Sequence, residues 1–547
     1  MGEKRLSEAI DYEKHIKPYR LVEIVSGVNS GKNYWVENVL MKEKRVLLVT
    51  SRKSKVEETK ERTQISSCLN LTRLKVNAVK CLLTNKNKHG CCVCNNWQIE
   101  YYMKKIYIKD DEKTHLSKFF DIVVIDEAHS MVTDATYCDA SFYMFQFMEA
   151  LYRQSEVKII LMTATYNPIK NLFDRTGYDD FAFWDFTDTC KRMRPKEIFF
   201  IQKELALRKL SKFYNENPEA NYRCVYFATK TEDIKNYIVP FLIRKGIPEE
   251  KIAVSFSNEE SLEGFSETLI SNKRRTEMYL SEHEDLPIDI KVFVTTSKNK
   301  EGININNDKY IWDIFIESHW KDEIEQMWGR VRTNLNQTFL IYDAVQHHSI
   351  NLENDYDYEF NNKTIKEVNE SFDDWCKKRG ISLINRMHNE RAQNEIERLQ
   401  EDRFPYLRYS PFSESFELYR GKILGKHQFH CSKIDYNSCL FRGYVNGTYG
   451  EELFGIPAFL VVDDSKEERF ENYLKENGHL ERCISKKDKD NILDFITNEL
   501  DVYKKSGKKL EPYKDLSKAL RGFGYKLREC SKNKSNKLYG YYVLEKL

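Results

Sequence analysis

The feature that most constrains this chain is an alternation. Over its first third, short runs of apolar, β-branched residues alternate with longer polar stretches of helical period. The runs are LVEIV (21–25), VLLVT (46–50), DIVVID (121–126) and KIILM (158–162). Each is apolar almost throughout rather than at every second residue, which predicts strands buried on both faces. Helices between such strands predict βαβ units and a parallel sheet. The pattern restarts near Lys196 with EIFFIQ, CVYFAT (224–229), KIAVSF, KVFVTT (291–296), YIWDIFIES and TFLIYDA (338–344). This second series predicts another α/β domain of similar size, reached through a linker at 185–195. No fixed-period repeat marks a solenoid.

The 547 residues exceed what one or two such domains need, and at roughly 150 residues per domain they predict three to four. The expected division is 1–190, 191–345, a mixed helical and hairpin accessory region at 346–483, and a basic module at 484–547. Residues 361–402 are polar and helix-like. Residues 419–463 carry Gly421, Gly425, Gly443, Gly447 and Gly450 among aromatics, a pattern that predicts hairpins.

Charge narrows the partners. Lysine plus arginine (87) nearly cancels aspartate plus glutamate (85), which excludes a chain basic throughout. Contact with a polyanion must therefore come from local patches. One such patch is the tail: residues 504–547 hold 13 Lys/Arg against 4 Asp/Glu, a net of +9. The first residues, MGEKRLSEAIDYEKH, hold no apolar segment of signal-peptide length. Apolar runs such as IPAFLVV (456–462) are too short to span a bilayer, so no membrane partner is expected. Thirteen cysteines in such a chain predict reduced thiols and a cytoplasmic location.

Chemistry concentrates at the ends of the predicted strands. LVEIV runs into SGVNSGKN, and the helix-like YWVENVLM follows. Strand, small-residue loop, then helix is the context a phosphate-binding loop requires. Ser26, Gly27, Val28, Asn29, Ser30 and Gly31 would let the backbone wrap phosphates. Lys32 would supply a point charge to the β and γ oxygens, and the helix start would add its dipole. Ser26 stands where a glycine is usual. Asn33 stands where Ser or Thr usually ligates Mg²⁺, and its amide oxygen can still face the metal. An ordinary strand-to-helix turn is the other reading. Asp126, Glu127, Ala128 and His129 close the strand IVVI. There Asp126 would hold Mg²⁺ through its water shell, and Glu127 would polarise an attacking water. An exposed acidic turn is the alternative.

Taken in order, Lys32, the Asp126-Glu-Ala-His129 box, Thr163-Ala-Thr165 and Gln326-Met-Trp-Gly-Arg330-Val-Arg332 resemble superfamily 2 helicases and translocases of the DEAD/DEAH-box type, in the DEAH variant. The resemblance covers roughly residues 20–345. It implies an α/β fold of two RecA-like parallel-sheet domains with ATP in the cleft between them. It implies that Thr163 and Thr165, with His129, link hydrolysis to movement of nucleic acid. Thr50, Ser51 and Arg52 would touch a phosphate backbone from the first domain. Thr229, Lys230, Thr295, Thr296 and Ser297 would do so from the second, by contacts indifferent to base identity. Glu301 and Gly302 match a segment near both the ATP cleft and the strand. Gln326, Arg330 and Arg332 resemble the arginine motif that faces the γ-phosphate and neutralises charge as that phosphate leaves. In the commonest form the second arginine follows the first by three residues; here Arg332 follows by two and Thr333 takes the usual place. Which arginine is the finger stays open, with Arg330 favoured.

Two further groups carry sparser signals. Cys68, Cys81, Cys91, Cys92 and Cys94 lie between the second strand and the Asp126 box, where some relatives carry an iron–sulfur cluster. Cys91 and Cys94 have C-x₂-C spacing with His89 nearby, but no second close pair. CCVC before NNWQIEYYMKK reads more simply as a buried strand entering a helix. That leaves Mg²⁺ as the expected metal; the His427, His430, Cys431 cluster is sparser still. In the tail, DNILDFITNELDVYKK reads as an amphipathic helix, PYKDLSKALRGFGYKLRE as helix plus turn, and KLREC to KLYGYYVLEKL as a β-hairpin. Helices before a basic hairpin resemble a winged-helix module that would aim Lys526, Arg528, Lys532, Lys534 and Lys537 at a phosphate backbone. A solvated basic face or a site for a protein partner is the other reading. The whole predicts an ATP-dependent helicase or translocase acting on nucleic acid, DNA favoured over RNA. The rival is a nucleotide-gated nucleic-acid-binding switch with weak ATPase activity.

Overall fold

A computed structural model describes residues 4–51, 53–63, 91–107, 118–190, 194–216, 221–256, 262–296, 304–333, 335–342, 362–400, 406–446, 451–461, 466–480, 483–500, 515–523, 525–531, 536–537 and 540–546. Arg52, Ser297, Glu301, Gly302, Cys68, Cys81, His89, Lys532 and Lys534 lie outside the described residues. The chain divides into two compact units, Met1–Leu460 and Val461–Leu547.

The larger unit contains two sheets. The first has six strands: β1 (Leu21–Val25), β2 (Val46–Thr50), β3 (Cys92–Asn95), β4 (Ile122–Ile125), β5 (Lys158–Thr163) and β6 (Phe181–Asp185). Their order is β3-β2-β4-β5-β1-β6, and every pair is parallel. The apolar runs explain this. Alternate residues of one strand feed different cores: Val123, Ile125, Ile159 and Leu161 pack on one face, Ile122, Val124, Ile160 and Met162 on the other. Burying each such side chain contributes roughly 1.5–3 kcal/mol, so a central strand gains on both faces.

The second sheet holds β7 (Ile198–Gln202), β8 (Tyr222–Phe227), β9 (Ile252–Ser255), β10 (Val292–Thr295), β11 (Ile311–Ile316) and β12 (Leu335–Tyr342). After the hairpin of β13 (Leu407–Ser410) and β14 (Ser415–Leu418), the segment β15 (Ala458–Val461) returns to this sheet. The order is β15-β7-β12-β11-β8-β10-β9. The pairs among β7 to β12 are parallel. Two parallel-sheet α/β lobes in tandem, as the residue pattern predicts, thus form the body of the chain.

Two readings need correction. The glycines expected to mark hairpins within 419–463 instead lie largely in one helix, Arg420–Asn446. Gly421 and Gly425 are there for close approach. A Cβ at either position would overlap the backbone carbonyl oxygen of Met131 or Val132, in the short helix Ser130–Thr133 behind the Asp126 box. The linker expected at 185–195 begins only after β6, because Phe181, Phe183 and Asp185 form an edge strand beside β1.

The smaller unit has helices Lys466–Glu476, Lys486–Asp494 and Leu516–Gly522. They are followed by the antiparallel pair β16 (Tyr525–Glu529) and β17 (Tyr542–Lys546). Phe470, Leu474, Ile492, Ile496, Leu520 and Leu544 fill its core. The helix-then-hairpin order is the expected one. Lys526 and Arg528 both pair with Glu545 across the strands, at 3.3 and 2.6 Å, so part of the hairpin's positive charge is already answered. Among the described residues, no helix is long and apolar enough to cross a membrane.

Candidate nucleotide site between the lobes

The loop after β1 is built to turn sharply. Asn29 (φ 64°) and Gly31 (φ 91°) adopt left-handed backbone, and Ser30 Oγ donates to Ser26 Oγ at 2.9 Å. The chain then enters the helix Lys32–Trp35 with Lys32 buried at its start. Lys32 Nζ donates to the Ser26 and Gly27 carbonyls, at 3.1 and 3.3 Å. Burial pulls its ammonium below the usual lysine range, against the opposing pull of Glu127 and Asp126.

Asp126 leaves β4 held by its N–H to Val49 O at 2.8 Å. Burial, reinforced by Glu127, pushes its carboxyl up to about 6. Glu127 has φ 53°, a left-handed conformation that costs a residue with a Cβ of order 1–2 kcal/mol. Such strain concentrates where a side chain must be aimed. Glu127 Oε2 is buried without a hydrogen-bond partner and lies 3.4 Å from His129 Nδ1.

His129 joins the lobes. Its Nε2 lies 2.7 Å from Nε2 of Gln326 on the second lobe, and its Nδ1 lies 3.0 Å from Thr163 Oγ1. The Gln326 amide nitrogen can only donate, so His129 Nε2 accepts and the ring proton sits on Nδ1. Thr163 Oγ1 then accepts from Nδ1, accepts from Thr165 N–H at 3.0 Å, and donates to Thr165 O at 2.7 Å. Every donor in this buried chain meets an acceptor, from Gln326 to the turn after β5.

The arginine segment follows the helix Lys321–Trp328. Ile305 N–H donates to Arg330 O, and Arg332 N–H donates to Ile305 O, each at 2.8 Å. Arg330 Nε donates to Gln326 O at 3.1 Å. Arg332 Nε is buried without a hydrogen-bond partner, and burial lowers its guanidinium pKa against the pull of Glu284.

These parts meet in one cavity of about 470 Å³. From the first lobe it is lined by Val28 to Asn33, Asp126 and Glu127; from the second, by Glu284, Asn304, Arg330 and Arg332. The approach is close: a Cβ on Gly329 would come to 3.0 Å from Val28 Cβ, and nearer still to Cγ1. Thr50 and Ser51 line the same cavity. Thr229, Thr295 and Thr296 do not, although they end strands of the second sheet. Thr229 Oγ1 donates to Glu317 at 2.9 Å, and Thr295 Oγ1 donates to Ser255 O at 3.0 Å. Lys230 directly precedes the next helix, without a side-chain capping bond.

Sequence reasoning missed Lys55, Arg5 and Tyr34, which also line the cavity. Lys55 is the most consequential. In the one orientation that satisfies the Asn33 amide, its oxygen accepts from Lys55 Nζ at 2.6 Å and its nitrogen donates to Asp126 Oδ2 at 3.2 Å. As for the cysteines, Cys91 and Cys94 are buried at the edge strand β3, and burial lifts both thiol pKa values. Among the described residues, no group of three His, Cys, Asp or Glu side chains is placed to hold a metal.

The donor set suits a magnesium nucleotide. Asp126, and Asn33 once its oxygen is released by Lys55, would offer oxygens to a hard divalent cation; cationic side chains line the cavity from both lobes, and Glu127 presents an unsatisfied oxygen.

The chain matches no protein-family model and no curated protein. Among solved structures it is similar to a DEAD box protein from the hyperthermophile Methanococcus jannaschii (13% identity, 59% of this chain and 82% of that one, TM-score 0.33). It is similar to S. cerevisiae Dbp5 bound to RNA and ADP BeF3 (12%, 62% and 84%, TM-score 0.40). It is also similar to the DUF1998 helicase MrfA bound to DNA (15%, 61% and 48%, TM-score 0.41). At this level of similarity no residue role transfers, and the site rests on the geometry above.

Proposed function

We propose that this chain is an ATP-dependent motor on nucleic acid, a cytoplasmic helicase or translocase of the superfamily 2 DEAH kind built on two RecA-like domains. DNA is favoured over RNA. The observation that carries this reading is the single cavity lined by Lys32 from one lobe and by Arg330 and Arg332 from the other. Residues 26–31 would wrap the phosphates of ATP, and Lys32 would leave the loop carbonyls to meet the β and γ oxygens. Asn33 and Asp126 would hold Mg²⁺, whose bound charge screens those oxygens. Glu127, strained and short of a hydrogen-bond donor, orients the attacking water. Arg330 stabilises negative charge on the departing phosphate, with Arg332 beside it.

The coupling chain has physical content in this reading. Gln326 reports the second lobe to His129, and His129 reports to Thr163 and Thr165. Separating the lobes would break the first bond and leave His129 Nε2 to accept from water instead, so the hydrogen bonding of the Thr163 turn is linked to whether the lobes are together. In this reading Thr50 and Ser51, which line the cavity, would touch a phosphate backbone from the first lobe and Thr229, Lys230, Thr295 and Thr296 from the second; Arg52, Ser297 and Gly302, outside the described residues, belong to the same proposal.

A nucleic-acid-stimulated ATPase assay tests this. Turnover should appear with single- or double-stranded DNA or RNA, and Glu127→Gln should abolish it while keeping ATP binding. ATP binding without turnover in the unaltered protein would favour the nucleotide-gated switch instead.

A further inference from the structure

Lys55 lies five residues beyond β2 in the helix Lys53–Thr63, on the cavity wall. A surface lysine there would need only Glu58, one turn along. Glu58 lies 3.6 Å from Lys55 Nζ, however, and is shared with Arg62 at 2.7 Å. Arg62 in turn grips both carboxylate oxygens of Glu37 on the helix behind the phosphate loop. The ammonium of Lys55 instead makes its short bond, 2.6 Å, to Asn33 Oδ1.

Asn33 occupies the position directly after the loop lysine. Its oxygen is engaged by Lys55 and its nitrogen by Asp126 Oδ2. Both side chains suited to a divalent cation are thus already bridged, and the charge at the end of the bridge is an ammonium. Lys55 and Lys32 both favour the ionised form of Asp126, against its burial. The cavity therefore contains, besides Lys32, a lysine held by the residue directly after the loop lysine, one with no counterpart in the sequence pattern.

We infer that Lys55, positioned by Asn33, is a second phosphate-neutralising cation that lets this site hold a nucleoside triphosphate with reduced dependence on divalent metal. The inference rests on the nucleotide reading above and deepens it. A charge-assisted hydrogen bond to a phosphate oxygen is worth about tenfold or more in affinity. That gain matters most when no divalent cation shares the load.

The test is binding of a fluorescent N-methylanthraniloyl ATP to the full chain, in excess Mg²⁺ and in EDTA, for the unaltered protein, Lys55→Met, Lys55→Arg and Asn33→Ser. In EDTA, Lys55→Met should weaken binding about tenfold or more while Lys55→Arg retains most of it; in Mg²⁺, Lys55→Met should lose less than about threefold. Asn33→Ser frees Lys55 and supplies a metal-ligating hydroxyl, so it should steepen the dependence on Mg²⁺. Matching circular dichroism of the variants establishes that each is folded. Equal loss by Lys55→Met in both conditions, or none in EDTA, overturns the inference and leaves the nucleotide reading intact. Failure of the unaltered protein to bind the probe in Mg²⁺ overturns both.

Discussion

Gly329→Ala isolates the contact between the lobes from everything else. Gly329 ends the helix Lys321–Trp328 with φ −69° and ψ −1°, a conformation any residue adopts, so alanine brings no backbone strain. The added methyl meets Val28 of the phosphate loop, with Cβ to Cβ at 3.0 Å and Cγ1 nearer still. Carbon atoms rest at about 3.5–4.0 Å, so the loop and the arginine segment must part by about 1 Å or more. Valine is β-branched and stiff and cannot fold aside cheaply. Overpacking of this kind costs about 1–3 kcal/mol, a factor of about 5–150 against the closed arrangement. Removing a glycine meanwhile adds about 0.4–1 kcal/mol of stability through the unfolded chain. The expected signature is therefore a protein that melts no lower than its parent but hydrolyses ATP about tenfold to a hundredfold more slowly in kcat/KM. Val28→Ala in the same chain removes the obstructing methyls and should restore most of that loss. Unimpaired hydrolysis by Gly329→Ala, or a defect that Val28→Ala leaves untouched, would refute the reasoning.

Asp322 is buried in the first turn of the helix Lys321–Trp328. Burial, with Glu325 beside it, pushes its carboxyl up to about 6. Its folded pKa lies above the unfolded value, so the ionised form opposes folding. That penalty is absent below about pH 4, grows between about pH 4 and 6, and is complete above. Asp322→Asn should be more stable than the parent by about 1–3 kcal/mol near pH 7.5, and urea denaturation should find the gap closed by about pH 4. Gly425→Ala drives a methyl into the Val132 carbonyl behind the Asp126 box. It should cost about 1–2 kcal/mol net, because overpacking outweighs a helix-propensity gain of about 1 kcal/mol, and thermal melting should detect it.

How much of this was legible follows from where each signal lives. β1, β2, β4 and β5 were readable because both their faces are buried, which forces unbroken apolar runs. β6 was not, because its edge position leaves Phe183 and Asp185 exposed and the short run FAFWDF gives way to TDT. The helix Arg420–Asn446 reads as turns because its glycines seat it on another backbone rather than bend it. Lys32, Asp126, Glu127 and His129 stand out in the sequence because they follow predicted strands, and the structure brings Lys32, Asp126 and Glu127 into one cavity. Lys55 and Gly329 do not stand out. Their meaning arises only when the helix after β2 and the helix before Arg330 converge on the phosphate loop, and no local spacing records that meeting.

The central claim is that one nucleotide is held from two lobes, and the direct measurement is a paired one on Arg330→Ala. Equilibrium ATP binding and single-turnover hydrolysis are measured on the same preparation with saturating nucleic acid. A guanidinium that acts on the departing phosphate predicts binding within about threefold of the parent and hydrolysis slower by about a thousandfold. Hydrolysis at the parental rate would contradict the account.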